Sequence, residues 1–206
     1  MEKQEIRTFG RRHGKKLSAR KQNLMEHVLP GLLPTGNADI LEIGFGAGEH
    51  LRALAIEKRD KIVLGAEPFV NGVAALLSAI CTESGAVLPE YKNIRIFPDD
   101  VRLILNAGGF AFSEIWILHP DPWPKARHEK RRLLNADFLN LLATNLAQNG
   151  KIIIGTDHWE YYDWILEQVK STKLHINDSE FDVIKTRYQQ KNMAGTSEPK
   201  YIILSL

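Results

Sequence analysis

The sequence predicts an α/β fold, a mostly parallel sheet with helices on both faces. Two observations predict it. From residue 38 onward, short apolar runs alternate with helical stretches, the pattern that strand–helix–strand units leave in a parallel sheet. Several of the runs, such as Ile115-Trp116-Ile117-Leu118 and Ile152-Ile153-Ile154, are apolar at every position, as strands covered on both faces must be. Strands are expected at 39–43, 61–66, 93–97, 114–118, 151–156 and 201–206, and helices near 49–58, 70–81, 101–107, 136–147 and 161–169. A chain of 206 residues suits a single domain. Residues 1–37 are expected to form a basic arm and a leading helix, and 38–206 the domain itself.

Composition narrows the class. The chain is 44% hydrophobic and 25% charged, ordinary for a soluble globular protein. No apolar run approaches the roughly 20 residues that cross a bilayer. The opening MEKQEIRTFGRRHGKK has no apolar core of a secretory leader, so the cytoplasm is expected. A single cysteine, Cys81, excludes a disulfide framework and a Cys-rich zinc site. The histidines (His13, His27, His50, His119, His128, His158 and His175) show no ligand spacing. They are read as surface or loop residues, and no metal is expected.

Charge is unevenly spread. Seven Lys/Arg and no acid lie between Arg7 and Lys21, and five more lie between Lys125 and Arg132 with only Glu129 to oppose them. The remainder holds fifteen basic and twenty-four acidic residues. An acidic body with two basic patches suits a polyanion bound at one place.

In a sheet of this kind ligands bind beyond the carboxyl ends of the strands, so the loops there carry the function. After the first strand comes Glu42-Ile43-Gly44-Phe45-Gly46-Ala47-Gly48, with glycines at alternate positions leading into a helix. Such a loop turns sharply and lets a ligand approach the backbone. Its G-x-G-x-G spacing is not the G-x-G-x-x-G of dinucleotide folds. Glu67, at the tip of the second strand, can accept hydrogen bonds from ribose hydroxyls and suits NAD or S-adenosylmethionine equally. The third strand ends in Asp99-Asp100. Asp99 is read as the nearer to a helix-capping position, which leaves Asp100 as the candidate beside an adenine amine.

The fourth strand runs into His119-Pro120-Asp121-Pro122-Trp123-Pro124-Lys125-Ala126-Arg127-His128-Glu129-Lys130-Arg131-Arg132. Three prolines stiffen the loop, which holds a reacting group in place. Trp123 offers a face on which a base can stack, Asp121 offers acceptors for its N–H groups, and the basic tail suits phosphates.

With that loop in view, the chain resembles the tRNA guanine-N7 methyltransferases of the class I adenosylmethionine-dependent fold. The matching stretches are 41–49, 65–72, 120–133, 155–159 and 186–189, and PDPWPKARHEKRRL is the most particular of them. The resemblance implies a Rossmann-like single domain, S-adenosylmethionine as cofactor, and tRNA as partner with no membrane and no obligate protein partner. It implies methylation at N7 of guanine 46 in the variable loop. Glu42, Gly44, Gly46, Gly48, Glu67, Asp100 and Asp121 would hold the cofactor, with Asp121 also catalytic. Lys125, Asp157, Thr186, Arg187, Tyr188 and Gln189 would hold the target nucleotide, and Arg127, His128, Lys130, Arg131 and Arg132 would meet the RNA. The chain departs from the family pattern at His119, where an aromatic is usual, at Ala66 and Pro68 around Glu67, and at Gln189, where Glu is customary.

Guanine N7 has a lone pair and no proton, so an acid at position 121 would act by charge and position rather than as a base. Three other readings remain at this point. An exocyclic amine of a base could be the target, because Asp121-Pro122-Trp123 is distantly similar to the motif of amino-group methyltransferases. A nicotinamide-dependent oxidoreductase is disfavoured by the glycine spacing. A non-catalytic RNA-binding module is disfavoured by the presence of both Glu67 and Asp121.

Overall fold

A strand that is apolar at every position needs cover on both sides. The computed structural model, which describes residues 8–177 and 199–206, provides it. The sheet comprises β1 (Ile40–Ile43), β2 (Val63–Ala66), β3 (Ile94–Phe97), β4 (Phe112–Leu118), β5 (Leu146–Thr156), β6 (His175–Ile176) and β7 (Lys200–Ser205). Their spatial order is β3-β2-β1-β4-β5-β7-β6. The first five strands pair in parallel, and β7 runs antiparallel between β5 and β6.

The helices are α1 (Ala19–His27), α2 (Glu49–Glu57), α3 (Val70–Ile80), α4 (Val101–Ala107), α5 (Ala136–Thr144) and α6 (Trp159–Val169). Alternate strand residues face opposite layers. Leu41, Ile43, Ile115, Ile117, Ile152 and Ile154 pack with α4, α5 and α6, whereas Ile40, Val63, Trp116 and Ile153 pack with α1, α2 and α3. Each such side chain contributes about 1.5–3 kcal/mol on burial. The chain steps outward from β1 to β2 and β3, then crosses back to β4 on the other side. The switch point therefore lies at the carboxyl ends of β1 and β4, where a ligand crevice opens.

The structure departs from the sequence expectation at several boundaries. Helix α5 stops at Thr144 rather than 147, because the Asn145 side-chain amide donates to the Leu141 and Leu105 carbonyls at 3.0 and 3.4 Å and turns the chain. Leu146 then pairs with Phe112, so β5 starts well before residue 151. Helix α6 starts at Trp159 because Nδ1 of His158 accepts from the Tyr161 amide at 3.3 Å, capping the helix. The leading helix α1 is capped by Ser18, whose hydroxyl accepts from the Lys21 amide at 3.4 Å, and buries Leu24 among residues of α2 and α3. The exposed two-residue β6 was not expected. No helix among the described residues is long and apolar enough to cross a membrane.

Candidate active site

The glycine loop stands at the carboxyl end of β1. Gly44, Gly46 and Gly48 all take positive φ, at 75°, 55° and 77°, a region L-residues enter at a cost. A Cβ built on Gly44 or Gly46 would meet nothing within 4 Å, whereas one on Gly48 would strike Leu76 at 2.5 Å. The first two glycines thus leave bare backbone facing open space, and the third fits the loop onto α3. Gly72, on α3, is a further requirement that spacing did not reveal. A Cβ there would lie 2.5 Å from the Gly46 carbonyl oxygen.

Glu67 follows β2 and is buried. Its two oxygens accept the amides of Gly46 at 2.8 Å and Phe69 at 2.9 Å, so the acid ties the glycine loop to the start of α3. Burial, above all, pushes the Glu67 carboxyl up, against the pull of those two amides, and the charges of Glu42 and Asp121 add to the rise. Glu42 is also buried, with the Nδ1 of His50 at 3.1 Å from its Oε2 and the His50 ring 4.6 Å from that of Trp116. His50 is therefore a core residue, 4% exposed, and not the surface or loop histidine expected. A buried partner for Glu42 left no signal in the sequence beyond its place in the first turn of α2.

The reasoning that separated Asp99 from Asp100 is reversed by the structure. Asp100 is the cap of α4, accepting the Arg102 amide at 3.0 Å, and it is clamped by Arg102 Nη2 at 2.7 Å. Asp99 instead accepts Arg12 at 2.6 Å and the Asp100 amide at 2.8 Å. Burial works to raise the Asp100 carboxyl, but hydrogen bonds from Arg102 and Thr8 hold it below the ordinary range. The Thr8 hydroxyl donates to Asp100 Oδ2 at 2.7 Å.

Arm residues 8–15 therefore lie along the loops that close the sheet. Besides those contacts, the Val70 amide donates to the Arg12 carbonyl at 3.0 Å. The Gly14 amide donates to Asn71 at 2.7 Å, and Asn71 returns a bond to the Lys15 carbonyl at 2.7 Å. At Gly10 the chain passes so near that a Cβ there would sit 3.9 Å from Asp121 Oδ2. Charge counting placed the arm as a polyanion contact and gave no hint of this path.

Asp121 is exposed on the proline loop, close enough to Glu67 for its charge to act there. Two non-glycine residues on this segment take positive φ, His119 at 50° and Trp123 at 42°. Arg132 braces the loop from inside. Only 5% exposed, it donates to the Pro122 and Trp123 carbonyls at 3.0 and 3.5 Å. Its guanidinium also lies over the rings of Tyr161 and Trp164, at 5.6 and 5.0 Å. This corrects its expected place among the RNA contacts, since a buried guanidinium turned toward loop carbonyls is not presented to phosphates. Arg131 lies 5.0 Å over Trp123 and 5.7 Å from Phe9, so one face of the indole expected to stack a base carries a cation. Lys125, Arg127 and Lys130 are exposed, and His128 is half-buried with its ring 5.7 Å from Trp123.

Across the crevice, at the end of β5, Asp157 approaches His119 Nδ1 at 3.8 Å. Burial lowers the His119 pKa while Asp157 opposes the drop, which keeps the imidazole neutral near pH 7. Glu42, Glu67, Asp100, Asp121 and Asp157 thus stand on or just after five parallel strands, toward the carboxyl edge of the sheet. Thr186, Arg187, Tyr188 and Gln189 lie outside the described residues.

The crevice fits S-adenosylmethionine. Bare glycine backbone leaves room for a ligand, and the charges of Glu42 and Asp121 both act on Glu67, a concentration of acid that favours a cationic sulfonium. The fold agrees. Precorrin-6y C5,15-methyltransferase from Geobacter metallireducens matches with a TM-score of 0.55 over 93% of this chain and 90% of that one, at 13% identity. An rRNA methylase from Streptococcus thermophilus matches at 0.51 over 92% and 98%, at 14% identity. Fold and site together define a class I S-adenosylmethionine-dependent methyltransferase. A family model described as "Putative methyltransferase" matches residues 37–201. The tRNA (guanine-N(7)-)-methyltransferase of Neorickettsia sennetsu is 35% identical over 92% of this chain and 86% of its own. That of Caulobacter vibrioides is 33% identical over 96% and 93%. The chain belongs to the tRNA (guanine-N7-)-methyltransferase family.

Proposed function

We propose that the protein transfers the methyl group of S-adenosylmethionine to N7 of a guanine in tRNA, at position 46 of the variable loop, forming 7-methylguanosine. One observation carries the reading. Asp121 stands on a triple-proline loop that Arg132 braces from within, near enough for its charge to act on Glu67, and exposed basic residues follow on the same loop.

Glu67 and the glycine backbone would hold the cofactor's ribose, with Glu42 on the strand before the loop, and Asp100 would receive the adenine amine. When bound, S-adenosylmethionine supplies an electrophilic methyl on a positively charged sulfur. Asp121 and Asp157 accept the N1–H and N2–H₂ of guanine and turn N7 toward that methyl. Because N7 carries no proton, neither acid serves as a base. Each strengthens its hold as positive charge grows on the purine, so the site binds the transition state more tightly than the substrate. Lys125 contacts the same nucleotide. Arg127, His128, Lys130 and Arg131 meet the surrounding phosphates. The proposed tRNA substrate supports a cytoplasmic location.

Nucleoside mass spectrometry of tRNA incubated with the protein and labelled cofactor tests the reading. Label in 7-methylguanosine is expected. Label in N2-methylguanosine or N6-methyladenosine, or none at all, would overturn it.

A further inference from the structure

Trp159 opens helix α6 two residues after Asp157, and 52% of it is exposed. A half-exposed indole in the first turn of a helix leaves apolar surface in water that a core would remove. Its surroundings are chemically specific. Lys200 Nζ, from the first residue of β7, sits 3.4 Å from the Trp159 ring centroid and 4.9 Å from that of Tyr162. The Trp159 and Tyr162 rings are 6.5 Å apart and inclined at 59°. These residues border a shallow hollow with Thr156, Asp157 and His158, so the platform is continuous with an acid placed at the target guanine. Two residues span at most about 7 Å of chain, so the indole stands within one nucleotide's reach of Asp157.

Lys200 covers one face of the indole, which leaves the other face for a base, and an aromatic ring beside a cation is the combination that binds single-stranded nucleotides, the ring stacking a base and the cation attracting phosphate. We propose that Trp159, flanked by Tyr162 and Lys200, stacks the base of a tRNA nucleotide adjacent to the methylated guanine, and that Lys200 meets that nucleotide's phosphate. The proposal rests on the reading of the crevice as the site of tRNA methylation. A nucleotide next to the target must unstack for the guanine to reach the methyl donor, and a second stacking surface offsets that loss. Stacking of this kind tolerates any base, so Trp159 adds affinity and holds the flipped geometry without adding sequence choice.

The test uses the full chain and two tRNAs that carry 5-iodouridine on one or the other side of the target guanine. Irradiation with wild-type protein is expected to give an adduct that maps to Trp159 by peptide mass spectrometry. Trp159→Ala is expected to raise the tRNA Kd by about 5- to 150-fold, with Trp159→Phe much closer to wild type and adenosylmethionine affinity unchanged in both. Lys200→Gln is expected to lower the salt slope of tRNA binding by about 0.7–0.9. An adduct mapping elsewhere, or Trp159→Ala with wild-type tRNA affinity, overturns the proposal. Should Trp159→Ala fail to fold, the wild-type adduct decides alone. Turnover of the same tRNAs by wild type is the control. Its absence would defeat the functional reading, whereas turnover without the adduct defeats only this inference.

Discussion

Arg132→Ala separates a brace from an RNA contact. The substitution removes a donor held 3.0 Å from the Pro122 carbonyl and a weaker one 3.5 Å from that of Trp123. A hydrogen bond from a charged group contributes about 1.5–3 kcal/mol, and the longer contact adds little. The cation over the Tyr161 and Trp164 rings is desolvated, which makes it worth about 1–2 kcal/mol. The expected loss is therefore about 2.5–5 kcal/mol. For a domain of this size each kcal/mol moves Tm by about 2–4 °C, so Tm should fall by roughly 5–20 °C. Loosening the loop displaces Asp121, and a shift of about 1 Å costs on the order of 10² in rate. Arg132→Lys keeps the charge but not the fork that reaches two carbonyls, so it should recover only part of both losses. The assays are thermal unfolding, single-turnover methyl transfer and tRNA binding over a salt series. A phosphate contact would give the opposite pattern, with Tm and single-turnover rate unchanged and the salt slope reduced by about 0.7–0.9. That result would refute the assignment of Arg132 to the loop interior.

Gly72→Ala should weaken adenosylmethionine binding, because its Cβ would force the Gly46 carbonyl back from 2.5 Å. Overpacking of that kind costs about 1–3 kcal/mol, and calorimetric titration showing wild-type affinity would contradict it. Glu67→Ala should weaken the same binding by about 1–3 kcal/mol, since the Gly46 and Phe69 amides lose their acceptor along with the ribose. Asp121→Asn should slow methyl transfer by about 10²–10³ with tRNA affinity little changed; a near-wild-type single-turnover rate would move the role to Asp157. The depressed Asp100 carboxyl contributes stability that is fully present above the unfolded aspartate value of about 3.9 and lost as pH falls through its lower folded value. The gap in denaturant stability between wild type and Asp100→Asn should stay constant at neutral pH and close only in that acid window. A gap that closes between pH 5 and 7 would argue against it.

The parallel strands and the acids at their tips were legible because their signals are local. A run that is apolar at every position implies cover on both faces, and Glu67 and Asp121 each sit where a strand ends. Glycines at alternate positions foretold a turning loop, and all three proved to have positive φ. The misreadings have a common physical origin in contacts distant along the chain. Arg132 lies in a basic run, and nothing in that run says that one member turns inward toward Tyr161 and Trp164. His50 is a lone histidine until Glu42 and Trp116 are placed around it. Gly72 looks like any small helical residue until the Gly46 carbonyl packs on it. The choice between Asp99 and Asp100 turned on one residue of helix boundary, where sequence reasoning is weakest.

The left-handed backbone at His119 and Trp123 carries an evolutionary consequence. Each position costs of order 1–3 kcal/mol relative to a relaxed residue, and a glycine at either would relieve it. Selection for heat resistance alone would accept those glycines, and with them a looser loop around Asp121. The side chains found there mark a trade in which the chain keeps a less stable fold to hold one carboxylate still. Thermostable variants of this protein should therefore be sought on the outer faces of α2 and α4, where Ile56 and Leu103 are exposed, well away from the proline loop.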